Sequence, residues 1–290
     1  MKGISKEEEI MKGMIENEVI HYTEELDGAF KQIKFYQIHP EYIPYVGKNY
    51  KNSKRKILLI GESHYISKEW NKDEAWKNYD EILEKWENLN WRNIFKPSSC
   101  NDYGYINWFN TKEHANRGCG EGTKKEKAIK NLIQNPIKSL CNVKFFEEDY
   151  NQLLAENIAF MNLFQYPSIK QGKTVSNAVH SFYNKNEGDE IWDKLFKSSL
   201  EVVSKAVSII KPDVVIVLSA DFCGDLTAEE IRTAITKEYD CYVGVTYHSA
   251  DNRVWKREYK WLKGKNPNAG TPQLRFESAI KEYLSKDVEL

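Results

Sequence analysis

The feature that most constrains this chain is a run of four apolar residues, Ile57–Ile60, that stops abruptly at Gly61. A run this short and this apolar, closed by glycine, predicts a strand buried on both faces, as in a parallel sheet. Three further runs have the same form: 157–164 (NIAFMNLF), 213–220 (DVVIVLSA) and 241–248 (CYVGVTYH). Helical patterns separate them. The segment at about 190–211 carries a long amphipathic stripe, and 227–239 opens with a Thr-x-x-Glu capping box. A last helix is expected at about 272–285. Strands alternating with helices predict a three-layer α/β/α fold around a central four-stranded, mostly parallel sheet.

At 290 residues, one enlarged domain over 1–290 is the simplest organisation. Residues 1–50 read as a helical extension, with one or two peripheral helices and a loop leading to the first strand. Residues 66–147 form an insertion between the first two strands, rich in aromatic and amide side chains. Within it, Trp76, Tyr79, Leu83 and Trp86 stand at helical spacing, which is the pattern of a helix packed on a core. The stretch 100–120 lacks that period, so its aromatics are candidates for a stacking surface.

Composition narrows the function classes. No stretch is apolar enough to span a bilayer, and the first residues lack a signal-peptide core, so a cytoplasmic protein without a membrane partner is expected. A net charge of −1 shows no global basic field, although a local basic groove remains possible. The five cysteines are scattered, with no CxxC pair, so neither zinc nor an iron–sulfur cluster is indicated and no cofactor is expected. Nothing in the sequence calls for more than a monomer.

In open α/β sheets, ligands bind beyond the carboxyl ends of the strands. All four expected strands end in polar residues. These are Glu62, Ser63, His64 and Tyr65; then Asn162, Gln165 and Tyr166; then Ser219 and Asp221; then Tyr247, His248, Ser249, Asp251 and Asn252. Convergent polar groups at one crevice are what a ligand site requires.

The order and wording of these segments resemble the uracil-DNA glycosylase superfamily, in particular the branch whose first motif reads G-E-A-P-G. The resemblance runs through 45–65 (YVGKNYKNSKRKILLIGESHY), 160–167 (FMNLFQYP), 209–226 (IIKPDVVIVLSADFCGDL) and 245–256 (VTYHSADNRVWK). It implies an enzyme that hydrolyses the N-glycosidic bond of a modified or deaminated base, with DNA or a nucleoside-like small molecule as partner. Carried over by position, Gly61 and Glu62 would form the loop that positions the attacking water, with Ser63 beside it. Tyr65 would block or stack on the base, and Asn162 would read its edge through one donor and one acceptor. His248 would donate to the base carbonyl as charge builds there, with Ser249 adjacent.

The chain departs from the pattern at three places. His64 stands where the family has proline, Ser63 where many members have Asp or Asn, and Ser249 where proline follows the histidine. The iron–sulfur cysteines of the G-E-A-P-G branch have no counterparts.

Two other readings stay open. One is a non-catalytic relative that binds nucleic acid or a nucleotide. The other is a metal-assisted hydrolase using Glu62, His64 and His248, set against Glu62 capping a helix N-terminus and His64 filling proline's space. After His248, the cations Arg253, Lys256 and Arg257 interleave with Trp255, Tyr259 and Trp261. Such a segment is either a nucleic-acid contact or an amphipathic helix with Trp255, Tyr259 and Leu262 packed inward. His21, His39, His114 and His180 lack evident partners in the sequence and read as surface or core histidines.

Overall fold

The computed structural model of the protein describes residues 24–63, 111–112, 115, 127–166, 168, 175–181, 183–219, 225–246, 255 and 271–286. Among these, five strands form one sheet: β1 Tyr45–Val46, β2 Ile57–Gly61, β3 Ile158–Asn162, β4 Val214–Leu218 and β5 Tyr242–Thr246. Their order is β1-β3-β2-β4-β5. β2 runs parallel to β3 and to β4, and β4 parallel to β5, so all four expected strands are present.

The expected count of four is corrected to five, because β1 pairs antiparallel with β3. The loop expected before the first strand thus contains a strand of its own. A strand of two residues has no period to betray it. Its pairing continues through Gly47, whose N–H donates to the Ile158 carbonyl at 3.0 Å. A Cβ on Gly47 would land on the Glu156 carbonyl, so only glycine allows this approach. Because β1 runs against β3, the chain that enters it stands toward the carboxyl end of β3.

Pleating sends alternate strand residues into two different cores. Leu58, Ile60, Ala159, Met161, Val215 and Val217 belong to one cluster. Ile57, Leu59, Ile158, Phe160, Val214 and Ile216 belong to the other. The first core is covered by α1 Glu24–Phe30, α2 Lys34–Ile38, α4 Val175–Val179, α5 Lys185–Ile210 and α6 Asp225–Glu238. The second is covered by α3 Lys127–Asn142 and α7 Pro272–Lys286. Burying each Leu, Ile or Val of these sets contributes roughly 1.5–3 kcal/mol, which explains why the strands are almost wholly apolar.

Several boundaries differ from expectation for identifiable reasons. α5 begins at Lys185, ahead of the apolar stripe, because the Asn184 side chain accepts a hydrogen bond from the Glu187 N–H at 3.2 Å. It ends where Lys211 takes a left-handed φ of 53°, followed by Pro212. α6 begins at Asp225, so Thr227 sits inside its first turn and not at the expected capping position. The extension is less peripheral than expected: Phe30, Ile33 and Tyr36 are buried in the first core. Positions 10, 14 and 15, and Trp76 and Trp86, lie outside the described residues. In the insertion, Thr111 and Lys112 are helical, and Lys112 binds the Asp27 carboxylate of α1 at 2.7 and 2.8 Å.

α3, which precedes β3, packs on the second core, whereas α4, α5 and α6, which follow β3 and β4, pack on the first. Connections that leave neighbouring strands for opposite faces open a crevice between them. In this strand order that switch point is at β2, which lies between β3 and β4.

Candidate functional site

One carboxylate joins the ends of β2 and β4 to the start of α4. Glu62, the residue after β2, is 3% exposed. Its Oε2 accepts from the Ser219 hydroxyl at 2.9 Å, just beyond β4. Its Oε1 accepts from the backbone N–H of Val175 at 3.1 Å, the first residue of α4. Glu62 therefore holds a helix start and two strand ends together. The helix-cap reading of Glu62 is present in this geometry. The ladder also continues past β2, since Leu163 N–H donates to the Gly61 carbonyl and Phe164 N–H to that of Glu62, both at 2.8 Å.

Asn162 behaves differently. It is 6% exposed, and it is the parallel register partner of Gly61. A Cβ on Gly61 would lie 2.6 Å from Asn162 Oδ1 and 3.3 Å from the Phe160 ring. The amide thus rests over the glycine, and the bare backbone at Gly61 is what admits it. The Asn162 carbonyl accepts from Gln165 Nε2 at 2.7 Å, but its side-chain amide makes no hydrogen bond with the described residues. Beside it, the buried hydroxyl oxygen of Ser63 also has no partner among the described residues. Other buried hydroxyls, such as those of Tyr36, Tyr50 and Ser204, also lack a partner among the described residues, so it is the place of Asn162 and Ser63 at the strand ends that makes them candidates to meet a ligand or water.

The other strand-end residues serve the fold. Gln165 Nε2 bonds the carbonyls of Asn162 and Leu163, and the Gln165 N–H bonds Ser199 Oγ at 3.2 Å. Tyr166 is buried in the first core. Thr246, at the end of β5, donates to the Pro272 carbonyl at 3.3 Å.

His64, Tyr65, His248, Ser249, Arg253, Lys256 and Arg257 lie outside the described residues, as do Tyr247, Asp221, Asp251 and Asn252. Trp255 is described: it is helical, 1% exposed, and packs in the second core with its ring centroid 5.7 Å from that of Phe276. It follows the amphipathic reading and is not a stacking platform. His39 is fully buried with Nδ1 3.2 Å from Glu41 Oε1, and so is a core histidine with a partner the sequence did not reveal. Among the described residues, no group of His, Cys, Asp and Glu is arranged to hold a metal ion.

The Val175 N–H was missed by sequence reasoning. It lies 113 positions from Glu62, and a backbone donor leaves no side-chain signature. Ser219 had a signal, its place directly after a β-branched run.

The amino end of the sheet holds a cavity of about 610 Å³, bordered by Asp213, Arg232, Cys241, Tyr242 and Glu282 among others. Several of its polar groups are already hydrogen-bonded within the fold. Asp213 accepts from the Lys56 N–H at 2.7 Å, Tyr242 donates to Glu282 at 3.1 Å, and Arg232 donates to the Val243 carbonyl at 3.3 Å. Burial, then the charges of Asp240 and Asp213, push the Cys241 thiol up to about 12. That keeps it protonated and poorly nucleophilic.

No family model, curated protein or solved structure matches this chain. Fold and site therefore rest on the residues themselves: an α/β protein with a five-stranded mixed sheet that places Glu62, Asn162 and Ser219 at the carboxyl ends of its strands. Among the described residues, no helix is long and apolar enough to cross a membrane.

Proposed function

We propose that the helices and sheet form a three-layer α/β/α domain of uracil-DNA glycosylase type, and that the protein hydrolyses the N-glycosidic bond of a modified or deaminated base. The observation that carries this reading is Asn162, a buried amide over Gly61 with no hydrogen bond to the described residues. A primary amide offers one acceptor and two donors in a plane, which suits the amide-like edge of a nucleobase. Rejecting bases that lack that edge would follow from the cost of leaving the buried amide unpaired.

In this reading Ser63 holds the water, and Glu62 positions the loop through Ser219 and Val175 without touching the reacting atoms. His248 donates to the base oxygen as negative charge develops. Tyr65 stacks on the extruded base, while Arg253, Lys256 and Arg257 neutralise phosphates. The chemistry needs no cofactor, and the protein works as a cytoplasmic monomer.

A second reading, a binding protein for nucleic acid or nucleotides with the same pocket, is favoured by one observation. Both Glu62 oxygens are engaged, which leaves the weaker acceptor Ser63 to hold any water.

The test is cleavage of end-labelled oligonucleotides carrying uracil, hypoxanthine, xanthine or oxidised bases, single- and double-stranded. Asn162→Ala and His248→Ala serve as controls. Alkali-labile products lost in both variants support the hydrolase. Binding without cleavage across the panel supports the second reading, and neither activity defeats both.

A further inference from the structure

We propose that His180 is a proton-operated latch that holds α4, and through it Glu62, in place. His180 directly follows the last residue of α4. Its Nδ1 lies 2.8 Å from the Ser176 carbonyl oxygen, and its Nε2 lies 2.8 Å from Asp189 Oδ1 on α5. A carbonyl only accepts, and so does an ionised carboxylate. A neutral imidazole has one N–H and satisfies one of them, so two acceptors at this distance call for the doubly protonated ring. The Ser176 hydroxyl stands farther off, 3.4 Å from Nδ1, and is the donor left to that nitrogen when the ring loses its proton.

The surroundings are built for the ring. Gly188 is buried in α5, where a Cβ would lie 2.9 Å from His180 Cδ2. Glycine within a helix costs roughly 1 kcal/mol relative to alanine, and here it makes the space that the imidazole fills. Among the described residues, the charge in contact with the ring is that of Asp189. α4 has no charged residue. The first turns of α5 carry Lys185, Glu187, Asp189 and Glu190, all exposed, with Asp189 in contact.

The consequence reaches the strand ends because α4 is only five residues long. Its first N–H, on Val175, is bound to Glu62, and its final turn is bound to His180. Raising the pH past the histidine's titration removes the Asp189 charge pair and weakens the hold on Ser176. α4 then loosens, and the Val175–Glu62 bond opens more often.

The test needs no ligand, so its outcome is independent of the glycosidic-bond reading. The ring nitrogens of His180 and the hydrogen-exchange protection of the Val175 amide are followed by NMR from about pH 5 to about pH 9. Both ring nitrogens should be protonated at the acidic end. Val175 protection should fall about fivefold as the ring titrates, the scale of one partly exposed charge pair. Gly188→Ala, which displaces the ring, and Asp189→Asn, which removes its partner charge, should each lower the ring's midpoint and uncouple Val175 from it. A singly protonated ring throughout overturns the latch. So does Val175 protection that stays constant while the ring titrates.

Discussion

The two ends of this sheet are built on opposite principles. The amino end holds a cavity of about 610 Å³, yet Asp213, Tyr242 and Arg232 at its border are already hydrogen-bonded within the fold. The carboxyl end holds a buried amide and a buried hydroxyl that the described chain does not engage. A cavity whose walls are satisfied gains little from a ligand, because every polar contact must first break an existing one. Unsatisfied buried groups gain the whole of a hydrogen bond. The contrast teaches that a void alone does not make a recognition site, and that unspent hydrogen-bonding groups are what a ligand can use.

The contrast can be broken most severely at Glu62. Glu62→Ala leaves the Ser219 hydroxyl and Val175 N–H without their acceptor, and should cost roughly 2–4 kcal/mol in denaturant unfolding. Gly61→Ala comes next. Its Cβ drives Asn162 and the Phe160 ring aside, at roughly 1–3 kcal/mol, and should weaken any base binding as well.

Asn162→Ala separates the two ends most cleanly. With no hydrogen bond to lose among the described residues, it should change stability by less than about 1 kcal/mol while weakening ligand binding roughly 10- to 100-fold. A stability loss equal to that of Glu62→Ala would mean that Asn162 is structural.

The smallest effect belongs to the amino end. With its thiol pushed up to about 12, Cys241 should react with an alkylating reagent at about pH 8.5 roughly a thousandfold more slowly in the folded protein than in the unfolded one. The sign for stability follows. The unfolded thiol ionises first, so this contribution is intact below the ordinary thiol value and is lost as the pH rises toward about 12. Alkaline unfolding should show that loss, and Cys241→Ser should lessen it.

Much of the fold was legible because burial on both faces writes four apolar runs that local chemistry cannot disguise. Gly61 and Asn162 were each legible as residues of a strand's carboxyl end, but their pairing was not, since only the parallel register sets them side by side. β1 was not legible: Tyr45 and Val46 pair because Gly47 lets the chain approach Glu156, a contact made 109 positions away. The role of Glu62 was legible only in outline. A carboxylate at a strand end predicts either catalysis or capping, and its partners at Val175 and Ser219 are set by topology alone. Trp255 shows the converse, because an aromatic among cations reads equally well as a stacking surface or a core anchor until packing against Phe276 decides it.

The most direct test of the account is to follow the side-chain amide of Asn162 and the backbone amide of Gly61 by NMR. The protein would be titrated with uridine and with a uracil-containing single-stranded oligonucleotide. The account predicts shifts at Asn162 and Gly61 with none at Arg232 or Tyr242. Shifts confined to Arg232, Tyr242 and their neighbours would contradict it and move the site to the other end of the sheet.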